Sequence, residues 1–300
     1  MAGNIVCLRG WHPALAKAEL ESLFPQNQSV QLESPRLVML EGEINLKQAT
    51  INVNSSSGIQ ALLTNCIIMD WDGNDDSKKQ FIQNVGKMIE KSSNSGTIGV
   101  FSWRQEGRID GLSSSELASS IGGIASELGY SINLDNPDHK IGIMLDGFSK
   151  KVVCGWMLDA NMDSSGLSSR RATERPFFKP ISLDPKLARL AVNLAGGPID
   201  ERIILDPMAG TGGFAIEAAA MERNTIALDM EKEMVDGTIK NLEWVLESPK
   251  STIEVIQGDA TKLSQYIPKK WHGKISGVVL DPPYGRNSHG TTSHFELLKN

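Results

Sequence analysis

The chain has little of what would place it among disulfide-stapled, metal-binding or membrane-spanning proteins. Its three cysteines, Cys7, Cys66 and Cys154, have no paired spacing, which argues against a disulfide framework or a zinc site and leaves buried free thiols as the expectation. The five histidines show no metal-ligand spacing, so no metal is expected. Residues 51–63 are apolar in part, but Asn54, Ser55, Ser56 and Ser57 break the run, and no segment reads as a membrane span or signal peptide. The expected compartment is therefore the cytoplasm. Internal repeats are lacking, and low complexity is confined to the three serines. Overall positive charge is lacking too. With 30 Lys and Arg against 36 Asp and Glu the net charge is −6, so a polyanionic partner would have to meet a local basic cluster. At 300 residues and 40% hydrophobic content, the chain can bury more than one core and fits two or three domains.

What is present is concentrated in the second half. The apolar run Gly277, Val278, Val279 and Leu280 predicts a short buried parallel strand, and Asp281-Pro282-Pro283-Tyr284-Gly285 follows it directly. That places the motif at a strand's carboxyl end, where open α/β sheets bind ligands. The exocyclic amine of a nucleobase is a weak nucleophile because its lone pair is delocalised into the ring; acceptors on its two N–H groups would localise that pair. Asp281 and the carbonyl of Pro282 are suited to be those acceptors. Pro282 has no N–H and Pro283 fixes its own φ, so the turn is stiff, and Tyr284 offers a face for stacking a base. The residues point to methylation of an exocyclic amine, with a Pro-rich turn and a packed Tyr as the plain alternative.

Upstream, residues 202–205 predict a strand, followed by Asp206-Pro207-Met208-Ala209-Gly210-Thr211-Gly212-Gly213-Phe214 and an Ala-rich helix over residues 215–221. Glycines allow a tight turn and close approach of a ligand, and a helix N-terminus favours acceptors, so Ala209, Gly210, Thr211 and Gly212 are candidates to hold a nucleotide-like cofactor. The next strand, residues 225–228, ends in Asp229, which can take both hydroxyls of a ribose. A third, residues 252–256, ends near Asp259, placed to accept from an adenine amine. Read literally, Gly210 to Ala215 satisfies the dinucleotide fingerprint of a nicotinamide dehydrogenase. Asp206 at the mouth of the loop weakens that alternative, because it would repel a pyrophosphate but suits the cationic methionine end of S-adenosylmethionine.

The ordered series Asp206, Asp229, Asp259 and Asp281 resembles the class I S-adenosylmethionine-dependent methyltransferases. The preceding stretch, from Arg171 through Arg175, Pro176, Phe177, Phe178, Lys179 and Pro180 to Asp184, Pro185, Arg189 and Asn193, is similar to the segment that introduces the catalytic domain of archaeal tRNA guanine-10 N2-methyltransferases. Here Asp184 caps a helix, Pro185 suits its first position, Leu187, Leu190, Ala191 and Leu194 predict its apolar stripe, and Gly196-Gly197 ends it. The resemblance covers residues 170–285. It implies transfer of one or two methyl groups from S-adenosylmethionine to a guanine amine of tRNA, with Asp281, Pro282 and Tyr284 as the catalytic residues, a closing role over the cofactor for the element at 171–195, and a monomer. Two other readings stay open: an RNA-binding protein with impaired turnover, and a DNA amino-methyltransferase using the same motif.

In the first half, Gly10-Trp11-His12-Pro13 and the amphipathic stretch to Leu23 resemble the small amino-terminal domain of these enzymes. Helices are expected over residues 77–91 and 113–128, the latter with Ser113 and Glu116 in capping-box spacing, and strands over 97–103, 140–145 and 151–157. That order, with Leu134 to Lys140 before the later strands, resembles a THUMP domain, which implies a grip on tRNA. The expected architecture is a small α+β domain (1–48), a THUMP-like domain (49–160), a linker (161–178) and a Rossmann-like α/β class I methyltransferase domain (179–300). Only four strands of that last domain are accounted for, whereas the class normally has seven, so further carboxyl-terminal strands are expected to be missing. Between residues 170 and 189 lie six Lys or Arg against two acids, which makes Arg170, Arg171, Arg175 and Lys179 the candidate RNA contacts.

Overall fold

The computed structural model describes residues 3–92, 95–158, 165–180, 182–200, 202–246 and 250–282. They fall into two compact units, one spanning residues 1–54 and 58–162, the other residues 163–300 with the short segment 55–57. No helix among the described residues is long and apolar enough to cross a membrane.

The first unit runs β1 (Asn4–Leu8), α1 (Pro13–Leu23), β2 (Gln28–Gln31), β3 (Leu37–Glu41), α2 (Leu46–Ser55), β4 (Ile59–Asp70), α3 (Asp75–Glu90), β5 (Thr97–Gln105), α4 (Ser114–Glu127), β6 (Ser131–Ile132), β7 (His139–Asp146) and β8 (Lys151–Met157). The local signals act as their chemistry dictates. Pro13 opens α1, the Asn74 side chain accepts from the Asp76 N–H to cap α3, and Ser113 caps α4 through the Glu116 N–H at 3.3 Å. All eight strands form one sheet in the order β2-β3-β1-β4-β8-β7-β5-β6. The expected boundary at residues 48/49 therefore does not divide two bodies: β4, which the sequence pattern left unassigned, pairs antiparallel with β1 on one side and β8 on the other.

That sheet is strongly curled. Ser34, in the β2–β3 turn, donates to Asp146 Oδ1 at 2.7 Å although three strands separate β3 from β7 in the sheet. Gln105 donates to the same oxygen at 3.1 Å, and the Ser149 N–H and hydroxyl donate to Oδ2 at 2.8 and 2.6 Å. Asp146 is fully buried, so four donors replace its water. Side chains alternate along β1: Val6 and Leu8 pack toward α1 and α2, while Ile5 and Cys7 join Leu37, Leu63, Cys66 and Met144 on the other face. All three cysteines are buried and free; burial pushes the Cys66 thiol up to about 12 and raises Cys7 and Cys154 as well, so none carries a thiolate at neutral pH.

The second unit contains α5 (Ser165–Ser168), α6 (Pro185–Gly196), β9 (Ile203–Asp206), α7 (Gly213–Ala220), β10 (Asn224–Asp229), α8 (Lys232–Val245), β11 (Ile253–Gln257), α9 (Leu263–Tyr266) and β12 (Ile275–Val278). Its sheet has the order β11-β10-β9-β12, parallel throughout, a Rossmann-like arrangement in which the chain walks outward from β9 and then returns to its other side. Ligand crevices open at such a reversal, at the strands' carboxyl ends. Asp184 caps α6 through the Lys186 N–H at 2.8 Å, and Gly197, at φ 65°, ends it. The buried face of α6 keeps only half of the expected stripe, Leu190 being buried and Ala191 packed against the core. Leu187 and Leu194 are 39% and 40% exposed, whereas Ala188 and Val192 pack on Ile204, Phe214 and Val279 with Arg189 and Asn193 buried beside them. Polar residues with dedicated partners occupy positions that hydrophobic periodicity assigns to solvent.

Replacing Asp146 with Ala removes the acceptor from four donors at once and is expected to destabilise the first unit by about 2–4 kcal/mol, with Asp146→Asn milder. Urea unfolding checks this; an unmoved midpoint in Asp146→Ala would show that the curl does not depend on the carboxylate.

Candidate active site

The parallel sheet delivers four carboxylates to one end. Asp206 closes β9 and Asp229 closes β10; Asp259 lies two residues beyond β11 and Asp281 three residues beyond β12. Asp281 is exposed and Pro282 half-buried, while Tyr284 lies outside the described residues.

Asp206 is wholly buried. Its Oδ1 accepts a long 3.3 Å bond from the Met208 N–H, and its Oδ2 has no partner. Burial, with Asp229 and Asp281 adding negative potential and the Met208 N–H opposing, pushes its carboxyl up to about 8. Asp229 shapes the loop: its Oδ2 accepts from the Gly210 N–H at 2.8 Å and its Oδ1 from the Glu231 N–H at 2.9 Å. Gly212 has φ 80°, and a Cβ there would lie 2.7 Å from the Thr238 methyl, so only glycine fits. The Ala209 carbonyl accepts from the Gly212 N–H at 2.8 Å, and Thr211 faces Ser182, hydroxyl to hydroxyl, at 3.2 Å. Asp259 turns to local work. Its Oδ1 accepts from both the N–H and hydroxyl of Thr261, at 2.9 and 2.7 Å, which hold its carboxyl below the usual range.

A cationic group suits this end of the sheet. The unpartnered oxygen of Asp206, with two more carboxylates around it and a glycine loop open to close approach, fits the sulfonium-bearing, amino-acid end of S-adenosylmethionine and would repel a pyrophosphate.

The segment before α6 behaves differently from its expected role as linker and RNA surface. Arg170 forks onto Glu217 of α7, Nε to Oε1 at 2.7 Å and Nη2 to Oε2 at 3.0 Å, and Arg189 reaches Oε2 at 2.9 Å. Glu217 is fully buried and Arg175 only 4% exposed. Lys179 pairs with Glu233 at 2.6 Å and stands over the Phe177 ring. Of the four basic candidates, Arg171 alone is exposed; Arg170 is turned inward onto the buried Glu217, and Arg175 is buried beside it.

Sequence patterns missed what holds the segment down. Asn241, buried on α8, accepts from the Phe177 N–H at 2.9 Å and donates to the Phe177 carbonyl at 2.7 Å and the Thr211 carbonyl at 2.9 Å. The Thr238 hydroxyl donates to the Gly210 carbonyl at 3.1 Å. Gly237 admits the Phe177 ring, which would lie 2.1 Å from a Cβ at that position. The available signal was Gly237 inside a helical pattern, where a glycine is costly unless something must approach.

Parallel strands, a glycine loop at the carboxyl end of β9 and an acidic residue after each strand define a methyltransferase domain, and the family model for an RMKL-like methyltransferase domain matches residues 172–299. The chain is 36% identical over 184 residues to a tRNA (guanine(10)-N2)-dimethyltransferase of Pyrococcus abyssi, covering 60% of this chain and 50% of that one. The corresponding enzyme of Methanocaldococcus jannaschii is 30% identical over 210 residues, 70% of this chain and 58% of that one. A probable tRNA (guanine(10)-N2)-dimethyltransferase of Methanothermococcus thermolithotrophicus is 31% identical over 115 residues, 38% of this chain and 70% of the relative. The chain belongs to this tRNA (guanine(10)-N2)-dimethyltransferase family. It spans about half the length of the first two of these relatives.

Because the folded-state pKa of Asp206 is raised, its contribution to stability is full below about pH 4 and is lost as pH rises toward about 8. Asp206→Asn mimics the protonated form. Its stability relative to the unsubstituted protein should therefore climb between pH 4 and 8 and level off above; a difference that stays flat across that window, followed by urea unfolding at each pH, would contradict the assignment.

Proposed function

We propose that this chain transfers methyl groups from S-adenosylmethionine to the exocyclic amine of a guanine in tRNA, as a tRNA (guanine(10)-N2)-methyltransferase or dimethyltransferase. The observation that carries the reading is the pairing of β9 with β12. It sets the buried Asp206, whose Oδ2 has no partner, beside a strand whose carboxyl end leads within three residues into Asp281-Pro282. The relatives named above act on tRNA guanine by their names, which supports the same substrate here.

When bound, the cofactor supplies an electrophilic methyl group on a sulfonium. Asp206 balances positive charge at its amino-acid end and Gly210 and Gly212 leave room for it; Asp229, at the next strand end, is assigned the ribose and Asp259, one strand further, the adenine. Asp281 accepts one N–H of the target amine and takes its proton as the nitrogen gains the methyl group. The Pro282 carbonyl accepts the other N–H, and Tyr284 stacks the base. A guanine held in a helix must first be flipped out, at a cost of a few kcal/mol. The first unit, with its THUMP-like order of elements, is assigned the grip on tRNA, and Arg171 is the exposed basic residue before the catalytic sheet.

Labelled-cofactor transfer to unmodified tRNA, followed by nucleoside mass spectrometry, tests the reading and separates one methyl from two. Methylated adenine or cytosine in DNA, with none in tRNA, would replace it. Calorimetry that finds NAD bound and S-adenosylmethionine ignored would remove the cofactor assignment. Asp281→Ala is expected to lose about a hundredfold to a thousandfold in rate while keeping its cofactor affinity, the usual effect of deleting one preorganised polar contact. Near-normal turnover in that variant would take Asp281 out of the mechanism.

A further inference from the structure

Arg175 is 4% exposed, yet Nη1 and Nη2 of its guanidinium have no hydrogen-bond partner. Only Nε is used, donating to the Arg170 carbonyl at 3.0 Å. The carboxylate that acts on it most strongly, Glu217, has both oxygens committed to Arg170 and Arg189. Asp184 also attracts it, but its Oδ1 caps α6. Three guanidinium groups thus cluster around one buried carboxylate, leaving surplus positive charge out of water. Burial holds Arg175 below its ordinary pKa, with Arg170 adding to that and Glu217 and Asp184 opposing. A buried guanidinium with two idle nitrogens is a receptor for a bidentate anion.

Its direction identifies the anion. Nη1 stands 3.8 Å from where a Cβ on Gly213 would lie, and Gly213 is the first residue of α7. No side chain caps the first turn of this eight-residue helix, whose N-cap is Gly212. The guanidinium and the start of α7 therefore face one small volume beside the glycine loop, and both favour negative charge. A polynucleotide phosphate is a poor fit for a group this buried. Resting on the cofactor reading above, we infer that Arg175 and the first turn of α7 receive the α-carboxylate of the cofactor's amino-acid end, while the unpartnered oxygen of Asp206 takes the ammonium. The two ends of one zwitterion thus meet two orphaned groups of opposite sign.

The test compares S-adenosylhomocysteine, which carries the amino-acid end, with 5′-methylthioadenosine, which lacks it. Calorimetry on the 300-residue protein and on Arg175→Met and Arg175→Lys reads affinity, and thermal unfolding without ligand reads the fold. Arg175→Met should weaken S-adenosylhomocysteine by about 10- to 100-fold, the worth of charge-assisted hydrogen bonds, and leave 5′-methylthioadenosine within about twofold. Arg175→Lys, which keeps the charge but not the fork, should fall between. Without ligand, Arg175→Met should unfold at the same temperature or higher, since an unpaired buried charge has been removed. Unchanged affinity for S-adenosylhomocysteine, or equal loss of both ligands with a lowered unfolding temperature, would overturn the assignment and make Arg175 a packing residue. Failure of the unsubstituted protein to bind either compound would overturn the cofactor reading itself.

Discussion

Parallel pairing forces the second unit to gather like charges. Every strand of its sheet runs the same way, so an acidic residue at or just past each carboxyl end arrives at one edge, and Asp206, on the central strand β9, is sealed from water with Asp229 and Asp281 around it. A sheet with one strand reversed would separate these groups. As built, the edge disfavours ionisation of Asp206 and creates a demand for positive charge that the protein leaves unmet at Oδ2. A cationic cofactor relieves that demand, and an anionic one would aggravate it.

A second electrostatic imbalance, of the opposite sign, lies beside the glycine loop. Glu217 brings Arg170 and Arg189 into the interior, and Arg175 follows with its guanidinium incompletely paired. The two imbalances are joined mechanically. Asn241 ties the Phe177 backbone to the Thr211 carbonyl, Thr238 holds the Gly210 carbonyl, and Gly237 lets the Phe177 ring seat against α8. Hydrogen bonds of this kind add little net stability each, about 1 kcal/mol. Their larger effect is positional, because they hold the segment before α6 and the glycine loop in one register against α8.

The first unit solves an unrelated problem with the same chemistry. A curled eight-stranded sheet must bring distant turns together, and Asp146 does so by accepting from Ser34, Gln105 and Ser149. The salt bridges of Lys151 with Glu33 and of Arg36 with Glu106 cross the same closure. These exposed pairs are worth little next to the buried carboxylate.

Much of the second unit was legible in the sequence. The strand, glycine loop and helix start, the acid after each strand and the Asp184-Pro185 cap are local signals, read within a few residues, and each element lies within a residue or two of its expected place. In the first unit β4 escaped, because polar residues interrupt a strand buried by both of its neighbours. The sequence by itself thus determined the order of the strands in the second unit, the Rossmann-like class and the acidic series, since turn chemistry and periodicity are properties of neighbouring residues. Only the tertiary structure decided which charges are buried and what they meet. Arg170 finds Glu217 47 residues away and Phe177 finds Asn241 64 residues away, and the cost of removing a charge from water depends on partners the chain brings together only by folding.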